Sequence, residues 1–249
     1  MNKISINFNN VIGKIKPLHG VGQPPIWGID CSMFDYLKDA MVPYSRLHDQ
    51  IYSTRFPCVD IHALFPNFDA DPYKEESYDF VFTDIIITEL VERGIMPFFR
   101  LGESIENFVS VKAYHVFPPK DNLKWAQICE GIIRHYTEGW ANGFHYDMQY
   151  WEIWNEPEGD QMWMGTKEQF FELYKVASKY LKEKFPHLKI GGYASCGFYA
   201  IAQDIDAKHA NIEPRFYYYY EYIQDFLKFA TENNCPLDFF SWHSYDIFR

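Results

Sequence analysis

Tyr150-Trp151-Glu152-Ile153-Trp154-Asn155-Glu156-Pro157-Glu158 is the stretch whose reading decides the fold. Residues 150 to 154 are aromatic or branched apolar apart from Glu152, which suits a short buried strand better than a helix. Pro157 cannot donate a ladder hydrogen bond, so the strand ends there and leaves Asn155 and Glu156 at its C-terminal tip. In a barrel of parallel strands, catalytic groups are carried at that tip. A carboxyl group held among Trp151, Trp154 and Trp163 would be poorly solvated. That favours the protonated form, which a general acid needs near neutral pH. Glu152 shares the parity of Glu156 and points inward, where a lone charge is too costly; Arg46 or Arg100 is its expected partner.

Working outward, strands and helices alternate. Leu18–Gly22 reads as a first strand. Tyr44–Asp49 is a second, with Arg46, His48 and Asp49 toward its tip. Met96–Leu101 is the third, 150–154 the fourth, Lys189–Tyr193 the fifth and Leu237–His243 the sixth. Between them, Ser32 can cap a short helix to Met41, and Asp79–Arg93 is amphipathic and closed by Gly94. A helix starts at Asp121 or Asn122. Thr166-Lys167-Glu168-Gln169 is a capping box opening a helix to Phe185, and a Tyr-rich helix runs from Phe216 to Asn233. Long loops cover 50–78, 102–121 and 194–216. Alternation of this kind implies an α/β fold with parallel pairing and right-handed crossovers. No internal repeat or linker divides residues 1–249, so one domain is expected.

The chain's 249 residues are 47% hydrophobic and 19% aromatic, enough for one sizeable core with a few rings to spare for stacking on sugar faces. A net charge of −11 repels phosphate backbones and argues against a nucleic-acid partner. Cys31, Cys58, Cys129, Cys196 and Cys235 show no zinc spacing and read as free thiols of a reducing compartment. Residues 1 to 7 contain no apolar signal region, so a cytoplasmic location is expected. No apolar run approaches a membrane span, so no membrane partner is expected. Asp60, His62, Asp69, Asp71 and Asp79 make an acidic loop whose spacing fits no standard metal site; neither metal nor cofactor is expected.

The string from Trp151 to Pro157 resembles the acid/base strand of retaining glycoside hydrolases built on a (β/α)8 barrel. Within that clan it is most similar to family 39, which includes β-xylosidases and α-L-iduronidases. The resemblance implies that Glu156 is the acid/base and that Asn155 hydrogen-bonds the sugar 2-hydroxyl. Arg46-Leu47-His48 partly resembles the family's Arg-Gly-His, which implies a sugar-binding His48; a hydrogen-bonded core histidine is the other reading. His243-Ser244-Tyr245 resembles the family's His-Ala-Tyr, which implies that His243 and Tyr245 line the sugar subsite. Pro118-Pro119-Lys120-Asp121 resembles the segment before the third helix. Trp163 is either a stacking platform or core, and Arg100 with Glu103 reads as a structural ion pair. The likeness extends over about residues 17 to 245, and it is sharply specific at the fourth strand.

The expected fold is therefore a (β/α)8 TIM barrel, seen as about six β/α units and cut before strands seven and eight. In the clan the nucleophile is a glutamate at the tip of strand seven, and no strand follows Tyr245. The chain is expected to be part of a longer protein. Were it whole, a partner chain in a homo-oligomer would be expected to cover the open edges, or Asp49 or Glu103 would have to stand in as nucleophile. The expected function is retaining hydrolysis of a plant-type oligosaccharide, β-xylosidase-like. The alternative is a non-catalytic carbohydrate-binding barrel.

Overall fold

The computed structural model describes residue 5 and residues 7–14, 17–25, 33–49, 51–52, 56–104, 116–196 and 214–244. Its centre is a parallel sheet of five strands: β1 (Tyr44–Leu47), β4 (Met96–Leu101), β5 (Tyr150–Ile153), β6 (Lys189–Ser195) and β7 (Phe240–Trp242). They lie side by side in chain order, and every neighbouring pair is parallel. The expectation of six strands is corrected here. The first is reduced to one bridge, in which Val21 N–H donates to Tyr44 and Val21 C=O accepts from Arg46 N–H.

Helices fill the crossovers. They are α1 (Met33–Asp39) before β1, α3 (Val81–Val91) before β4, α4 (Asn122–Glu138) before β5, α5 (Lys167–Lys184) before β6 and α6 (Pro214–Glu232) before β7. The local signals act as read. The Asp121 carboxylate caps α4 by accepting from Leu123 N–H (2.9 Å) and Lys124 N–H (3.0 Å). Thr166 and Gln169 exchange both bonds of a capping box at α5. Gly94, at φ +76°, turns the chain from α3 into β4. The loop from 50 to 78 holds more structure than expected: the hairpin of β2 (Ile51–Tyr52) and β3 (Phe56–Pro57), and the one-turn helix α2 (Ile61–Leu64).

Most aromatic rings belong to one core between sheet and helices. It contains Trp125, Trp151, Trp154, Phe170, Tyr174, Tyr193 and Phe226. Gly192 lets β6 lie close against β5, because an added Cβ would come within 2.7 Å of the Ile153 carbonyl oxygen. No helix among the described residues is long and apolar enough to cross a membrane. Cys58, Cys129, Cys196 and Cys235 are free thiols; Cys31 lies outside the described residues.

Candidate active site

The backbone at the end of β5 is bent in a way the sequence does not announce. Trp154 and Glu156 both have positive φ, +72° and +46°, a conformation that side chains other than glycine rarely adopt. Both neighbouring strands hold the bend. Trp154 N–H donates to Leu101 C=O on β4 (2.7 Å), and Glu156 N–H donates to Tyr193 C=O on β6 (3.2 Å). The Trp154 indole N–H donates to Met162 C=O, and its ring stands edge-on to Trp163. The bend sends the tryptophan into the core and Glu156 to the wall of a cleft of about 470 Å³, lined by Gly22, Gln23, Arg46, His48, Asp49, Glu156 and His243.

This arrangement decides between the two readings of Trp163 in favour of core and corrects the expected setting of Glu156. Trp163 is 3% exposed, packs against Trp154 and Phe170, and offers no open ring face to a sugar. Glu156 is not enclosed by tryptophans: its side chain keeps 22% exposure on the cleft wall, and Oε1 meets Nδ1 of His243. His243 is placed for this by its own N–H, which donates to Ser195 C=O at the end of β6 (2.8 Å). Tyr245 lies outside the described residues.

Glu152 is buried and paired with Arg46, as expected: Arg46 Nε donates 2.8 Å to Oε2, while Ser241 Oγ donates 2.6 Å to Oε1. The Arg46 guanidinium also donates to Asn155 Oδ1 at 2.8 Å. That bond fixes which end of the Asn155 amide is which. Nδ2 is buried and has no partner among the described residues. A buried amide N–H left open costs free energy until a ligand or water accepts from it.

His48 sits between two charged neighbours. Nδ1 accepts from Arg100 Nε (3.3 Å), so Nε2 carries the ring proton and faces Asp49 Oδ1 (3.1 Å). Burial, followed by the charges of Arg100 and Arg46, pushes its pKa below the ordinary histidine value against the pull of Asp49. His48 is therefore a neutral N–H donor on the cleft wall.

The expected Arg100–Glu103 pair does not form. Arg100 is fully buried and donates to Asp60 Oδ1 (2.6 Å) and Ser104 Oγ (2.9 Å). Glu103 pairs instead with the His62 ring and accepts from His62 N–H (3.3 Å). Burial raises the Glu103 pKa, opposed by His62. Asp60, His62 and Glu103 can bring one ligand atom each within 4.8 Å of one another. Asp60, however, is committed to Arg100 and to both Ser104 donors, and Glu103 to His62. The trio is an internal ion network. Asp69 pairs with Lys120 on the surface, while Asp71 and Asp79 accept from backbone N–H groups two residues on. Glu158, which lies against the end of β6, is a buried carboxyl with no role assigned to it from the sequence.

A parallel β/α sheet with a carboxylate and an amide side by side at the end of a central strand, opening on a cleft, has the architecture of a barrel glycosidase. The chain belongs to glycosyl hydrolases family 39, whose model matches residues 49–247. It is 29% identical over 192 residues to a β-xylosidase of Geobacillus stearothermophilus, covering 74% of this chain and 34% of that protein. It is 32% identical over 178 residues to a β-xylosidase of Caldicellulosiruptor saccharolyticus, covering 68% of this chain and 31% of that protein. The crystal structure of a glucosidase from Croceicoccus marinus superposes with a TM-score of 0.68 at 28% identity, over 93% of this chain and 44% of that one. The chain thus spans about a third of the length of the xylosidases it matches, and its parallel sheet with helices is consistent with a partial barrel of that family.

Proposed function

We propose that this stretch of chain forms the acid/base half of a retaining family 39 glycosidase, acting on an oligosaccharide with β-xylosidase-like selectivity. The barrel it belongs to is the (β/α)8 kind, of which β1, β4, β5, β6 and β7 and their helices are one side. The observation that carries the reading is at the tip of β5. Glu156 stands on the cleft wall with one oxygen on His243, beside an Asn155 whose buried Nδ2 has no partner among the described residues.

In the proposed reaction Glu156 Oε2 gives a proton to the leaving glycosidic oxygen and later takes one from the water that ends the cycle. Asn155 Nδ2 donates to the sugar 2-hydroxyl, and Arg46 keeps the amide turned that way. His48 Nε2–H and His243 border the same space, and Tyr245 is assigned to it by resemblance alone. The attacking carboxylate falls, in the family, to the strand after β7, and the proposal leaves it there. Retention requires it about 5–5.5 Å from Glu156.

Glu156→Ala tests the assignment. Hydrolysis of xylobiose should fall by about 10²–10⁴-fold, the usual contribution of a general acid, while kcat/KM for an aryl β-xyloside with an acidic phenol, which reports only formation of the glycosyl-enzyme, should lose far less. Wild-type rates on xylobiose would end the acid/base reading. Saturable xylo-oligosaccharide binding by a wild-type protein that never turns over would replace it with the carbohydrate-binding barrel.

A further inference from the structure

Glu158 lies two residues beyond Glu156 and takes no part in the cleft. Its side chain is 6% exposed. Oε1 accepts from Ser195 Oγ (2.5 Å) and Cys196 N–H (3.1 Å), while Oε2 is buried without a partner among the described residues. Among the described residues the immediate surroundings supply no cation. Glu156 on its own loop acts on it with like charge. The Cys196 thiol and the Tyr193 phenol come from the end of β6, and Tyr218, Tyr219 and Tyr222 from α6, all within reach of its charge. Lys167 and Arg215 act on the outer phenols Tyr218 and Tyr219. Burial is the largest influence on Glu158 and pushes its pKa up to about 8, against the Ser195 and Cys196 hydrogen bonds and with the help of Glu156. With both donors on Oε1, the place for a proton is Oε2.

Ser195 gives this carboxyl its meaning. Its Oγ donates to Glu158, and its C=O accepts the N–H of His243, the residue against Glu156. Two residues earlier, Tyr193 C=O accepts the N–H of Glu156 itself. The end of β6 is therefore the shared support of Glu156 and His243, and Glu158 is the side chain that clamps the β5 loop to it. We propose that Glu158 is a positioning residue for the Glu156–His243 pair, a carboxyl kept neutral by a proton on Oε2 that locks the loop after β5 onto Ser195 and Cys196. For turnover, this rests on the acid/base reading of Glu156; as a statement about the pair's geometry it does not.

Three measurements on the protein test it, two of them independent of hydrolysis. The first is the unfolding midpoint of wild type and Glu158→Gln between pH 5 and 9. A carboxyl whose folded pKa is raised from 4.5 to about 8 stabilises fully at low pH, and that stability is lost as pH rises through this window. Glutamine mimics the neutral acid at every pH. The variant should match wild type near pH 5 and exceed it by several degrees at pH 9. Parallel curves, or a variant less stable at pH 9, would show an ionised, paired Glu158 and overturn the proposal.

The second is the downfield proton of the His243 Nδ1–Glu156 hydrogen bond in ¹⁵N–¹H spectra. It should persist in Glu158→Gln and be lost in Glu158→Ala. Should the alanine variant not fold, Ser195→Ala removes the hydroxyl donor and leaves the Ser195 carbonyl; it should weaken the same signal. An unchanged signal in whichever of these folds refutes positioning. The third is kinetics on an aryl β-xyloside. Glu158→Gln should keep the wild-type kcat, and Glu158→Ala should lower kcat by about tenfold or more with KM nearly constant, as misplacement of a catalytic group does. Wild-type kcat in the alanine variant overturns the proposal. A wild-type protein without turnover removes the glycosidase reading and leaves the first two measurements to decide.

Discussion

Arg46 and Arg100 occupy adjacent strands, β1 and β4, and each meets a buried carboxylate, yet they do different work. The Arg46 side chain is 18% exposed at the cleft, and its partners, Glu152 and Asn155, come from β5 and its tip. Arg100 is fully buried, and its partner Asp60 comes from the long loop before α2. The first pair orients a group that faces the cleft. The second fastens a loop to the sheet, and through Ser104, which also accepts from Asp49 N–H, it sets the floor on which His48 and Asp49 stand. The same guanidinium–carboxylate chemistry serves presentation where water can reach it and anchoring where water cannot.

Removing one partner from each pair separates the two roles. Asp60→Ala leaves a fully buried guanidinium without its counter-charge, and breaking a buried pair in this way costs about 3–5 kcal/mol. Denaturant unfolding should show that loss, and a cost below about 1 kcal/mol would place Arg100 in contact with water. Arg46→Gln should cost less, about 1–3 kcal/mol, because water at the cleft can replace part of what Glu152 loses and Ser241 still donates to it. Its effect on sugar binding should be the larger of the two, since the Asn155 amide is then free to turn. If Asp60→Ala weakens xylo-oligosaccharide binding more than Arg46→Gln does at temperatures where both are folded, the division of roles is wrong.

The two regions were not equally legible in the sequence. Around β5 the signals are local. The apolar run, Pro157 and the capping box after it fix a strand, its end and the helix that follows, and the parity of Glu152 fixes its inward direction. The partner of Glu152 could be narrowed to Arg46 or Arg100 because a buried carboxylate needs a cation and the two preceding strands carry one each. Asp60 could not be matched to Arg100 by any such rule. Asp60 lies 40 positions before Arg100, in the irregular loop that precedes α2, so the partner is chosen by how that loop folds and not by a strand register. The same holds for Leu18–Gly22, where a plausible strand pattern gained only the Val21–Ser45 bridge. Trp163 stayed open between two readings for another reason. An aromatic after the acid/base strand satisfies a platform and a core position equally, and the positive φ at Trp154 that decides between them leaves no mark in the sequence. Glu158 shows the same blindness at a charge: two residues from Glu156, it turns to the opposite side of the bend.

His48 belongs to both regions, and its titration gives the smallest but most specific test of their separation. It accepts from the anchoring Arg100 and presents Nε2–H toward Asp49 and the cleft. Because burial and two arginines hold its folded pKa below 6.5, the unfolded chain binds the proton first as pH falls. The stability contributed by the neutral ring is therefore present above pH 6.5 and is lost as pH drops through the folded value, with a slope of at most about 1.4 kcal/mol per pH unit. His48→Gln keeps an acceptor for Arg100 and a donor for Asp49 but cannot take up the proton. It should flatten the acid limb of the stability profile below pH 6.5 while changing stability at pH 8 by less than about 1 kcal/mol. A variant whose acid limb is as steep as wild type would mean that His48 is already charged in the folded protein. Arg100 would then have no ring nitrogen to donate to, and the link from the buried anchor to the cleft would have to run through Ser104 and Asp49 alone.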